Sequence, residues 1–169
     1  FFRKVWSSDA AGSAWKSVSI EKPRTPLTIS CDAKGRWWVA GTGATLSMSA
    51  DGGANWTVTD LAEDAQLTGI QMVDDTLGYA TGEFGVIAQT KDGGASWTRL
   101  SPLPDEFYPY ATLFVSGARG WASGIAGQIL HTTDGGQTWT RQTNASRAPL
   151  YRLFLHEGVP HGVGAGRVV

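Results

Sequence analysis

Apolar and polar positions along this chain alternate in short runs that stop at Gly, Asp or Pro, and few stretches carry the spacing of an amphipathic helix. The stretch from Thr68 shows the arrangement: TGIQMVD, LGYATG, VIAQTKD and SWTRL read as four consecutive strands with a turn at each junction. The second run holds a large ring, Tyr79, just ahead of small residues and a turn glycine, Gly82. Trp38 with Gly41, Trp121 with Gly124 and His161 with Gly164 repeat this order, as stacked sheets require.

The four-strand unit recurs at a fixed period. Asp51, Asp92 and Asp134 lie 41 and 42 residues apart, and Trp56, Trp97 and Trp139 keep step with them. A degenerate copy, SSDAAGSAW, supplies Asp9 and Trp15 with one extra residue between them. A repeat of this length carrying four strands has the dimensions of a propeller blade, where radial stacking buries faces that one sheet leaves bare. Alternation alone fits a sandwich as well, so the period carries the assignment. The expectation is an all-β chain, a β-propeller of four-stranded antiparallel blades. It occupies 1–169 as one domain or fragment, with repeats centred on Asp9, Asp51, Asp92 and Asp134. Both ends fall within a repeat, which points to part of a larger ring rather than to four blades closed on themselves.

The three repeats at Asp51, Asp92 and Asp134 hold the box Ser/Thr-x-Asp-Gly-Gly-x-x-Trp, and the copy at Asp9 has alanines where the glycine pair stands. The carboxylate of the box is placed to accept hydrogen bonds from amides of the following turn, its glycines to take positive φ, and its Trp to fold over the hairpin. Such a box is structural, and no metal is expected in it. A calcium loop needs oxygen ligands at alternating positions and a closing Glu, whereas only glycines and small residues follow Asp51, Asp92 and Asp134. GTGATL (41–46) lacks the third glycine and the following helix of a dinucleotide site and reads as a hairpin turn. No cofactor is expected.

Composition narrows the classes further. With 14 basic and 15 acidic residues the chain lacks the basic excess of a nucleic-acid binder. The single cysteine, Cys31, has no internal partner and sits in the apolar run LTISCD, where a buried position is expected. No apolar run is long enough for a membrane helix.

Gly120, Trp121, Ala122, Gly124, Gly127, Ile129, Thr132, Asp134, Gly135, Gly136 and Trp139 together resemble the repeat of the photosystem II stability and assembly factor family and its bacterial relatives. More distantly, the box is similar to that of sialidase-type Asp-box propellers. The first resemblance implies a non-catalytic scaffold that binds a protein partner, such as an assembling membrane-protein subunit. It also implies a place outside the cytoplasm, in the periplasm or the lumen of a photosynthetic cell. The arginine patch associated with photosynthetic members is not fixed by the repeat motif. Arg99 and Arg141 occupy equivalent places two after the box Trp and read as solvated strand ends.

The alternative is a sialidase-like domain that binds or cleaves glycans. Such enzymes use three arginines, a Tyr–Glu pair and an Asp, and the nearest string to their Arg-Ile-Pro segment is KPRTP, with Arg24 followed by Thr25. His131, His156 and His161 form no triad pattern, and no catalytic residue is assigned. A partner surface is expected on the connectors between blades, where repeats differ most. The candidates are Glu106, Phe107, Tyr108 and Tyr110 from one connector and Arg147, Tyr151 and Arg152 from the next, a composition favoured at protein interfaces. The competing reading of the same rings is that they plug gaps between blades.

Overall fold

The structure is a computed structural model and describes residues 3–104, 107–142 and 147–165. Strands β1 (Lys4–Ser8) and β2 (Trp15–Ser19) form a hairpin. Three four-stranded sheets follow: β3 (Pro26–Cys31) to β4 (Trp37–Gly41), β5 (Thr45–Ser49) and β6 (Thr57–Asp60); β7 (Leu67–Met72) to β8 (Gly78–Gly82), β9 (Ile87–Thr90) and β10 (Thr98–Arg99); and β11 (Pro109–Phe114) to β12 (Gly120–Gly124), β13 (Ile129–Thr132) and β14 (Thr140–Gln142). A second hairpin, β15 (Leu150–His156) and β16 (Val159–Gly164), comes last.

Every sheet is antiparallel with neighbours in chain order, the up-and-down pattern of a propeller blade. The strands of four repeats are therefore shared among three complete blades and two halves. The first hairpin corresponds to the outer two strands of a blade and the last to the inner two. Among the described residues these hairpins remain separate two-stranded sheets. The first strands β3, β7, β11 and β15 adjoin one another around a common inner groove.

The core lies in the seams between blades. Trp38, Leu46, Leu67, Ile70 and Val86 form one buried cluster between the second and third sheets. Tyr79, Ile87 and Phe114 form another between the third and fourth, and Val5, Ile20 and Val39 a third beside the first hairpin. Burying each large apolar side chain is worth about 1.5–3 kcal/mol, so a seam made of several stabilises neighbouring blades together. The ring slot of the second strand serves this purpose: Tyr79 stacks on Phe114 at 3.5 Å with an interplanar angle of 4°.

Two local expectations are corrected. Cys31 is exposed. In β3 the apolar residues Leu27, Ile29 and Cys31 all fall on the uncovered side, because the β1–β2 hairpin brings no inner strands to lie beside β3. The box tryptophans reach across a seam as well as over their own hairpin. Trp97 meets Trp38 of the preceding blade at 6.1 Å, and Trp56 joins the cluster containing Val18 and Ile20 of the first hairpin. Trp139 packs with Leu100 of the preceding blade while its indole donates to its own Gly136 carbonyl at 3.1 Å. Trp15, which has no preceding blade to meet among the described residues, is exposed.

Candidate functional site

The boxes behave as turn locks. Asp51, Asp92 and Asp134 accept bonds from the backbone N–H of Asn55, Ser96 and Thr138, each at 2.9 Å. The side chains of the same three residues donate to the second carboxylate oxygen. Ser49, Thr90 and Thr132 donate to the first oxygen at 2.8 Å and accept from Gly53, Gly94 and Gly136. The degenerate copy keeps the same i+4 lock, with Ser13 N–H on Asp9 at 2.8 Å and the Ser13 hydroxyl on its other oxygen. The polar residue four places after each Asp was visible in the sequence as Ser, Asn, Ser and Thr, although the box motif leaves that place open.

These bonds hold the box carboxyls well below the usual range. For Asp51 the backbone and side chain of Asn55 are the main cause, and for Asp92 and Asp134 the hydroxyls and then the amides of Ser96 and Thr138; all three fall to about 2. Both carboxylate oxygens of each box Asp are thus engaged within its own turn. Among the described residues no group of three His, Cys, Asp or Glu comes together that could hold a metal ion.

The inner groove differs. In each first strand the ladder skips one residue: Leu27 in β3, Thr68 in β7, Tyr110 in β11 and Tyr151 in β15. A β-bulge re-aims the side chain it displaces. All four displaced residues line one groove of about 520 Å³, together with Ile29, Ile70, Thr112 and Arg152 among others. The period places these bulges at matching positions, a signal that attention to the boxes alone overlooks.

Three tyrosines step out of this groove onto the connector side. Tyr151 meets Tyr110 edge to face at 5.4 Å, and Tyr110 meets Tyr108 at 5.7 Å. The Tyr108 hydroxyl donates to Glu83 Oε1 at 3.1 Å, and Glu83 also accepts from the backbone and side-chain amides of Gln66. Partial burial, followed by the adjacent Glu83, raises the Tyr108 hydroxyl above its ordinary value. The result is a preorganised aromatic ladder, exposed along its length.

The remaining candidates separate. Phe107 is buried with Leu103, Ala122 and Leu130 and is a plug between blade and connector, not a surface residue. Arg147 and Arg152 are exposed, Arg152 on the groove beside Tyr151. Glu106 lies outside the described residues. Arg24 is exposed in the connector ahead of β3. Arg99 forms an ion pair with Glu63, while Arg141 is exposed on β14. His131 stacks on Trp121 at 5.0 Å and His161 on Phe154 at 5.4 Å, so both occupy ladder positions.

Comparison with known proteins agrees with this architecture. The family model described as photosynthesis system II assembly factor YCF48 matches residues 7–106 and 55–151. The photosystem II assembly lipoprotein Ycf48 of Synechococcus sp. (strain CC9902) is 38% identical over 116 residues, covering 64% of this chain and 34% of that protein. YCF48 from Cyanidioschyzon merolae superposes with a TM-score of 0.77 at 19% identity, over 96% of this chain and 58% of that one. YCF48 bound to a D1 peptide superposes with a TM-score of 0.71 at 22% identity, over 89% and 49%. The chain thus spans about a third of the curated relative and about half of the solved ones.

Proposed function

The chain belongs to the photosynthesis system II assembly factor YCF48 family, and from that membership we propose that it is a non-catalytic scaffold holding a segment of an assembling membrane-protein subunit. The observation that carries this reading is the ladder of Tyr108, Tyr110 and Tyr151 at the mouth of the inner groove. Tyrosines present large contact area with little rotamer entropy to lose, and their hydroxyls bond to a peptide backbone while their rings cover its side chains. Arg152 adds a cation on the same rim. A relative solved with a D1 peptide supports a peptide segment as the occupant.

The same reading places the chain outside the cytoplasm, as the lipoprotein nature of the curated relative supports. Among the described residues no helix is long and apolar enough to cross a membrane.

Fluorescently labelled short peptides tiled across the water-exposed segments of D1, titrated with the full chain, test the proposal by anisotropy. Saturable binding by a subset, weakened by Tyr110→Ala, is the expected result. Absence of binding by every peptide, or robust turnover of fluorogenic glycosides by the chain, overturns it.

A further inference from the structure

Phe84 departs from the pattern of its own turn. The equivalent positions Gly43, Phe84 and Ala126 all have positive φ, at 67°, 56° and 53°. Left-handed backbone disfavours a bulky side chain, and the other two blades use the small residues that this geometry asks for. The ring gains nothing from the core in return, since it is 76% exposed. A strained turn that holds an aromatic ring in water signals a binding role.

The ring forms one wall of a groove of about 560 Å³ whose other walls include Pro102, Leu103, Pro104, Tyr108 and Ile125. Among the described residues the charged side chains around it, including Arg99 of its lining, are already engaged. Arg99 pairs with Glu63, and Glu83 accepts from Gln66 and Tyr108. Among the described residues a charged occupant would meet only charges that already have partners, whereas an apolar side chain would bury against the carbon-rich walls of Pro102, Leu103, Pro104 and Ile125. The volume suits side chains of a peptide, being within the range of small-ligand pockets. Tyr108 belongs both to this groove and to the tyrosine ladder, so a chain lying across the ladder leads directly into it.

We propose that this groove is a specificity pocket for an uncharged aromatic or branched aliphatic side chain of the captured segment, with Phe84 as its projecting wall. The proposal rests on the peptide-capture reading above and adds the chemistry that the captured sequence must carry. It assigns Phe84 and Ile125, which lie in the turns Glu83–Gly85 and Ile125–Gly127, a role that neither those turns nor the boxes require.

The test uses the full chain, the variants Phe84→Ala and Ile125→Ser, and the D1-tiled peptides in two forms: native, and with each large apolar residue changed in turn to Ser. Ala126 already holds an alanine on the same backbone, so Phe84→Ala is expected to fold, which circular dichroism verifies. The expected result is about a tenfold loss of affinity in each variant for peptides bearing the apolar anchor, and no further loss once the anchor is Ser. Equal affinity of wild type and both variants for every bound peptide overturns the pocket and leaves peptide capture standing. Failure of the wild type to bind any peptide removes both. A Phe84-dependent affinity for a glucan oligosaccharide, or Phe84-dependent self-association, in place of the peptide effect also overturns it.

Discussion

The guanidinium of Arg36 donates to the carbonyl of Gly93 at 2.9 Å, joining the β3–β4 hairpin of one blade to the box turn of the next. The same group donates to the Asp75 carbonyl at 3.0 Å, pairs with Asp32 at 2.6 Å and lies over the Trp38 ring at 5.3 Å. Burial alone would raise the Asp32 carboxyl, but the Trp38 indole and the Arg36 bonds outweigh it and hold the group below its usual range. Arg36 thus acts as a clamp on a box that cannot grip its neighbour by its own carboxylate.

Replacing Arg36 with Ala should cost about 1.5–3 kcal/mol, because hydrogen bonds to a charged donor are lost and Asp32 is left without its partner. Lys in its place cannot reach both carbonyls with one planar fork and should recover only part of the loss. Urea denaturation followed by Trp fluorescence measures both. A shift in midpoint no larger than that of an exposed Arg, such as Arg141→Ala, would contradict the clamp.

The box turns should also be sensitive to a single methyl group. Gly94 has a φ of 89°, and a Cβ built on it would lie 2.0 Å from Cη2 of Trp38. Gly52 has a φ of 70°, with nothing within 4 Å of the same Cβ. Gly52→Ala should therefore cost only the backbone strain, about 1 kcal/mol, and Gly94→Ala that strain plus overpacking of the seam, about 2–4 kcal/mol in all. The difference between the two denaturation midpoints isolates the clash.

Acid should loosen the boxes in a defined window. With carboxyls held at about 2 in the folded chain and near the ordinary 3.8 when unfolded, the contribution of Asp51, Asp92 and Asp134 is fully present above the unfolded value. It declines as pH falls below about 4 and is gone once the folded groups protonate near 2. The melting temperature should thus be flat in the mildly acidic range and fall steeply below about pH 4. A variant with all three changed to Asn should start lower and show a shallower acid limb. An unchanged acid slope in that variant would assign acid unfolding to other groups.

The boxes were legible in the sequence because their roles are local. Asp, Gly and hydroxyl residues at fixed offsets meet within one turn, so spacing is enough to predict the contact, and the period then predicts the blade. Phe107 and Cys31 were misread because their environments are made by strands outside their own short segment: β12 and β13 cover Phe107, and the first hairpin leaves Cys31 uncovered. Nothing within DEFYPY says that Phe107 points under the connector while Tyr108 and Tyr110 point out of it. Nothing within LTISCD says that the strand next to β3 on that side belongs to a hairpin with no inner strands. The four bulges, and the projection of Phe84, were accessible only by aligning repeats at positions outside the box, where identity changes from Leu and Thr to Tyr and from Gly and Ala to Phe.

The two readings of the connector rings, partner surface or filler between blades, make opposite predictions at Tyr151. This residue ends the ladder, is more than half exposed and touches Tyr110 only edge to face. A filler residue truncated to Ala loses buried area and destabilises the seam, by about 3 kcal/mol or more for a ring in a core. Phe107, buried against Leu103 and Leu130, supplies that case. Tyr151→Ala removes mostly solvent-facing surface and one edge-to-face contact worth about 0.5–1.5 kcal/mol at most, so stability should change little. Affinity for the captured peptide should nevertheless fall about tenfold or more, as it does when an aromatic anchor leaves an interface. Measured side by side, Phe107→Ala should lower the melting temperature and Tyr151→Ala should lower peptide affinity. A Tyr151 variant that melts early and binds normally would return the ladder to the role of packing.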